Sequence, residues 1–335
     1  LILLQFGIYS QNEGFEPVVI SIEGQETKLY DASHALVIGM SEYTEGWPNL
    51  PGVDKDVEAV KEVLEEIGFH VVVKQNLSKD GTDKAFVDFI SEYGQDPENR
   101  LLFYFAGHGH TVKTSFGEVI GYIVPVDAPN PHDDLTGFQS KSMPMSRIEE
   151  YAKLTQSKHA IFFFDACFSG SLFSLSRAVP EVINYKTSKP VRQFITSGSE
   201  DETVPDESIF RQQFVLALTT RYADANNDGY LTGSELGKFL QDNVINYSRN
   251  NQHPQYGKIR NQYLDKGDFV FVLDNGEGGY ETNNTNNGNI NGTTSRDPKR
   301  SFGNIKLYSE ITGTLYLDNK EIGTISEGSN VPLNN

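Results

Sequence analysis

Apolar runs separated by stretches of helical periodicity dominate this chain. Strand candidates, rich in apolar residues, fall at 35–40, 70–76, 100–106, 159–166, 192–197 and 268–273, each of a length suited to a strand of a sheet. Helices are predicted over 54–67, 83–93, 145–154, 209–222 and 234–247; in the first of these, Val57, Val60, Val63, Leu64 and Ile67 line one face. This alternation predicts an α/β domain over 33–273, with a mainly parallel six-stranded sheet and helices on both faces. Asp54 or Asp56 is placed to cap the first helix. In sheets of this kind ligands bind beyond the carboxyl ends of the strands.

The pattern fails at both ends. Residues 1–32 form an N-terminal segment whose opening, Leu1-Ile-Leu-Leu-Gln-Phe-Gly-Ile, is similar to the end of a signal-peptide apolar region and reads equally as an edge strand. Export to the periplasm or cell surface and residence in the cytoplasm are therefore both open. From 274 to 300 the sequence turns to Asn, Gly and Thr, a composition that buries too little apolar surface to order itself, and a flexible linker is predicted. Beyond it, over 301–335, period-two alternation around Asp318-Asn319 predicts a hairpin in a small all-β segment. That text is similar to about half of a PEGA-type β-module.

Composition removes some partners. The 335 residues carry a net charge of −18, which repels nucleic acid and anionic membrane surfaces and attracts basic ligands. No apolar run reaches the length of a membrane-spanning helix. The expected state is a monomer. One cysteine excludes an intrachain disulfide, and with His70, His132, His159 and His253 showing no ligand pairing a zinc site is not expected.

That cysteine is the centre of the candidate chemistry. Cys167 ends the run His159-Ala-Ile-Phe-Phe-Phe-Asp-Ala-Cys, where a buried strand gives way to the polar, turn-forming Phe168-Ser-Gly-Ser. A second run, Arg100-Leu-Leu-Phe-Tyr-Phe-Ala, ends in Gly107-His108-Gly109-His110. Two neighbouring parallel strands would bring His108 to Cys167, a base beside a thiol. His110 competes for the role of base.

The segments Tyr104-Phe-Ala-Gly-His-Gly and Asp165-Ala-Cys-Phe-Ser-Gly resemble those of caspase-like cysteine peptidases, above all the metacaspase and orthocaspase branch. The resemblance takes in Ala35-Leu-Val-Ile-Gly, Leu50-Pro-Gly-Val-Asp-Lys-Asp-Val, Arg192-Gln-Phe-Ile-Thr-Ser-Gly-Ser and Gly267-Asp-Phe-Val-Phe, while Phe168 stands where metacaspases commonly carry histidine. It implies a caspase-haemoglobinase-like fold and a cysteine endopeptidase that needs no cofactor for its chemistry. His108 would be the base, Cys167 the nucleophile, and the N–H groups of Gly109 and Cys167 the oxyanion donors. Asp56 and Asp165 would line the primary pocket and select protein or peptide substrates with Arg or Lys before the scissile bond, since a guanidinium or ammonium relieves two converging carboxylates. The interval 171–191 corresponds to the loop cut in caspase-like proteins, and Arg177 and Lys186 are its self-cleavage candidates.

One further motif stands apart. Asp224, Asn226, Asp228, Tyr230, Thr232 and Glu235 supply oxygens at positions 1, 3, 5, 7, 9 and 12 of an EF-hand-type loop, with Gly229 at position 6, so calcium is a candidate ligand. The same residues also read as a helix connection in which Thr232 caps the next helix. The alternative to an enzyme is therefore a calcium-binding or scaffold protein on an inactive caspase-like domain.

Overall fold

In the computed structural model the described residues are 15–22, 25–167, 173–175, 188–198, 208–273, 313–317 and 320–325. The chain divides into two compact units, 1–279 and 280–335.

In the first unit five strands run parallel: β3 (Ser33–Gly39), β4 (His70–Gln75), β5 (Arg100–Ala106), β9 (His159–Cys167) and β11 (Val191–Gly198). β13 (Gln255–Ile259) joins antiparallel to β11, and the three-residue β10 (Phe173–Leu175) closes that edge, giving the order β10-β13-β11-β9-β5-β3-β4. Of these, β3, β5, β9 and β11 are buried on both faces and send alternate side chains into two separate cores, while β4, at the sheet edge, is half-buried to exposed. Leu36, Phe103, Phe105, Phe162 and Phe164 meet α2 (Lys79–Tyr93) and α4 (Met145–Leu154). Val37, Leu102, Tyr104, Ile161 and Phe163 meet α1 (Gly52–Glu66), α5 (Ile209–Thr219) and α6 (Gly233–Tyr247). The predicted α/β class and two-sided helix cover are thus what the chain adopts.

Several details differ from the sequence reading. The strand at 268–273 lies outside the central sheet: β14 (Val270–Val272) pairs with β12 (Tyr230–Thr232), and β13 takes the sixth place. Neither Asp54 nor Asp56 caps α1, because the helix starts earlier, at Gly52, behind Pro51 with φ −62° and no side-chain cap. α5 stops at Thr219, short of 222; Thr219 and Thr220 turn their hydroxyls back onto the carbonyls of Val215 and Leu216. The short helix α3 (Leu135–Lys141), the hairpin β1 (Val18–Ile22) with β2 (Gln25–Tyr30), and the small sheet of β6 (Gly109–Lys113), β7 (Val119–Ile123) and β8 (Met143–Pro144) were not predicted.

Two buried arginines fasten the amino ends of the strands. Arg100 packs over Phe69 with its guanidinium carbon 4.4 Å from the ring centroid and bonds to Ser33 and the Val270 carbonyl. Arg192 binds the carbonyls of Ala152, Thr155 and Lys158. The carboxyl ends are left to the site.

The second unit, taken by itself, contains an antiparallel hairpin of β15 (Gly313–Leu317) and β16 (Lys320–Ile325), paired through Leu317 and Lys320 as the alternation predicts. The linker at 274–300, residues 1–14 and, in the C-terminal segment, 301–312, 318–319 and 326–335 lie outside the described residues.

Candidate active site

β5 and β9 are in parallel register down to Ala106 opposite Asp165, and the Gly107 N–H donates to the Asp165 carbonyl at 3.3 Å. His108 and Cys167 each stand two residues past that shared rung. Cys167 is the last residue of β9, opposite Gly198 of β11. Gly109 opens β6 opposite Ile123. Position 107 has no room for a side chain, since a Cβ there would lie 2.8 Å from the Tyr43 hydroxyl and 2.9 Å from Met40 Cβ.

The loop after β3 builds a cradle around His108. The Tyr43 hydroxyl accepts from the His108 backbone N–H at 2.7 Å, and the imidazole lies against Tyr43 and Trp47 with ring centroids 4.7 and 5.1 Å away. Its Nε2 is 2.8 Å from the Pro48 carbonyl. A carbonyl only accepts, so Nε2 carries a proton, and in the neutral ring Nδ1 is the atom with a free lone pair. Burial lowers the His108 pKa, opposed by the bond to Pro48. His110 packs instead between Trp47 and Phe138, at 5.7 and 5.2 Å.

The acidic residues meet on the other side of β9. Asp165 shares the face of Ile161 and Phe163, toward α1 and α5. The Tyr104 hydroxyl donates to its Oδ2 at 3.2 Å and the Ser208 hydroxyl makes a shorter bond to the same oxygen. Asp165 Oδ1 has no hydrogen bond among the described residues. Asp56, also buried, accepts from Arg211 Nε at 2.8 Å. Ser208 ties the group together, because it also caps α5 by accepting the Arg211 N–H.

Burial pushes the Asp165 carboxyl up to about 6, the charge of Asp56 adds to this, and the hydroxyls of Ser208, Tyr104 and Ser197 oppose it. Ser197 acts from nearby, since neither its hydroxyl nor Asp165 Oδ1 makes a bond of ordinary length among the described residues. Tyr104 is raised well above its ordinary value, first by burial and then by the two carboxylates. The linkage has a definite sign. A carboxyl raised in the folded state favours folding while protonated, below about 4, and loses that contribution as pH rises through about 6. For a group only 4% exposed this is worth about 3 kcal/mol. Asp165→Asn should therefore melt like wild type at pH 4 and above it at pH 8; equal melting at both values would mean that the carboxylate is well solvated.

Sequence reasoning missed Tyr43, Pro48, Tyr104, Ser208 and Arg211. Tyr43 and the chain's one tryptophan do carry a signal, two aromatics in a polar loop directly beyond a buried strand. Arg211 interrupts an otherwise apolar helix stripe. Arg177 and Lys186 lie outside the described residues, as does 168–172. Of the six residues proposed for calcium, five lie on the α5–α6 connection and Glu235 in the first turn of α6, and Thr232 does cap α6, its box completed by Glu235. No group of three or more His, Cys, Asp or Glu among the described residues is poised to hold a metal, and no described helix is long and apolar enough to cross a membrane.

Comparison with known proteins places the chain in a family. The family model for the caspase domain matches residues 32–264. A probable protease of a Desulfuromonadales bacterium is 27% identical over 154 residues, covering 40% of this chain and 18% of that protein. The human mucosa-associated lymphoid tissue lymphoma translocation protein 1 is 30% identical over 141 residues, covering 40% of this chain and 15% of that protein. The chain thus spans less than a fifth of the length of either curated relative. A crystal structure of caspase-1 from Spodoptera frugiperda superposes with a TM-score of 0.47 at 16% identity, over 73% of this chain and 91% of that one. With the family model spanning most of the first unit, the chain belongs to the caspase-domain family of cysteine peptidases.

Proposed function

We propose that the protein is a cysteine endopeptidase that cuts after Arg or Lys, with Cys167 as nucleophile and His108 as base. The register carrying Ala106 opposite Asp165, with both residues two places beyond it, is the observation that supports the pairing most directly. The bond from Nε2 to Pro48 leaves Nδ1 to take the thiol proton. The thiolate then adds to the peptide carbonyl, and the electron pair of the C=O bond moves to oxygen, where the N–H groups of Gly109 and Cys167 would hold it. Collapse breaks the C–N bond, and the amine leaves with the proton from His108. Water, deprotonated by the same imidazole, hydrolyses the thioester and frees Cys167.

The acidic pair supports basic specificity in a modified form. Asp56 is already bound to Arg211, so Asp165, with one oxygen unbonded among the described residues, is the acceptor offered to an incoming guanidinium or ammonium. Ionised Asp165 and Asp56 with Arg211 leave a net charge of −1, which still favours a cation. Self-processing within 171–191 belongs to the same reading, with Arg177 and Lys186 as the cut sites.

The test is covalent capture. An arginyl chloromethyl ketone should alkylate Cys167 in wild type, be slowed strongly by His108→Ala, and be blocked by a competing Arg peptide. Equal labelling by an aspartyl or leucyl analogue would reject basic specificity, and no labelling by any of them would reject the nucleophile.

A further inference from the structure

The connection between α5 and α6, with the first turn of α6, contains buried carboxylates whose state the peptidase reading does not use. Much of this loop is explained by its own hydrogen bonds. Asp224 accepts the N–H groups of Asp228 and Gly229 at 3.2 and 2.9 Å, Asn226 accepts Asp228 N–H at 2.9 Å, and Asp228 accepts Tyr230 N–H at 2.9 Å. Gly229 takes φ +88°, where a side chain would be strained. These contacts shape a turn and point to no ligand.

Glu235 is different. Its Oε2 accepts from the Thr232 N–H and hydroxyl at 3.0 and 2.8 Å, which completes the cap of α6. Its Oε1 is buried without a hydrogen bond among the described residues, in a residue only 9% exposed. The charges acting on it include the carboxylates of Asp228 and Asp224. A cap needs one oxygen. The second, withdrawn from water and facing like charge, is unfavourable unless a cation meets it.

We infer that residues 224–235 bind one calcium ion. The donors would be the side chains of Asp224, Asn226 and Asp228, the Tyr230 carbonyl, Thr232 directly or through water, and both oxygens of Glu235, the spacing that this loop type requires. The three acids do not stand together as a preformed cluster. The set is completed by amide, carbonyl and hydroxyl oxygens, which suit calcium and not zinc or copper. Pairing of β12 with β14, Tyr230 opposite Val272 and Thr232 opposite Val270, gives the loop a rigid wall. The site is independent of the peptidase reading.

The test uses the full chain, freed of metal by chelation, with calcium chloride as the probe in calorimetry and melting. Calcium at a hundredfold excess over its dissociation constant should raise the melting temperature by roughly 5–10 °C, and equal magnesium should do far less. Glu235→Gln keeps the cap, because glutamine also completes it. This variant should melt like wild type in chelator and lose calcium affinity by about tenfold or more. If it folds poorly, Asp228→Ala, on an exposed side chain, should lose affinity likewise. Wild type that binds no calcium at millimolar concentration, or a Glu235→Gln protein that binds as wild type does, overturns the site.

Discussion

Cys167→Ala and His108→Ala should each lower the turnover of a good peptide substrate by about 10⁴-fold or more, and the double variant should lose little beyond either one. The two groups act as one unit in the proposed chemistry, so removing either leaves only what binding and the oxyanion donors supply. Structural collapse would not explain the loss. Cys167 is the final residue of its strand, and the contacts of the His108 ring are to one exposed loop, through Trp47 and Pro48, and to Tyr43. Circular dichroism and melting should thus stay close to wild type. A His108→Ala protein that keeps a tenth of the activity would move the base elsewhere, with His110 next in line.

The second large effect is on specificity. Asp165→Asn should reduce kcat/KM for an Arg substrate by roughly 10²–10³-fold, the usual consequence of removing one partner of a buried charge pair. Alkylation of Cys167 by iodoacetamide should change little. Asp56 cannot take over, because its carboxylate is held by Arg211. Wild-type activity on Arg substrates should also rise as pH passes through about 6, where Asp165 ionises, and the variant should lack that limb. An unchanged ratio of Arg to apolar substrates would remove Asp165 from the pocket.

What was legible in the sequence follows from how each contact is made. The strand ends bearing His108 and Cys167 could be read because long aromatic runs stop at glycine or small polar residues, a local signal. The sixth strand could not, because 255–259 mixes Gln255, Gly257 and Lys258 with Tyr256 and Ile259, whereas 268–273 is more apolar yet pairs elsewhere. The group orienting His108 is a main-chain carbonyl, which has no residue-type signature. Arg211 reaches Asp56 across 155 positions, and spacing rules do not extend so far. The expected cap at Asp54 or Asp56 failed for a local reason, since the helix has already begun at Gly52, behind Pro51.

The order of strands at the sheet edge has a consequence for the covalent chain. A cut between Leu175 and Ser188 would assign β10 to the amino-terminal piece and β11 and β13 to the other, yet in space the order is β10-β13-β11-β9. The later piece is gripped on both sides by strands of the earlier one. Just past the interval, His159 holds the Lys189 carbonyl at 3.0 Å, and the Pro190 carbonyl accepts N–H groups from Lys266 and Gly267. A nicked molecule would therefore migrate as two polypeptides in detergent and as one particle in native sizing, with the scaffold left assembled.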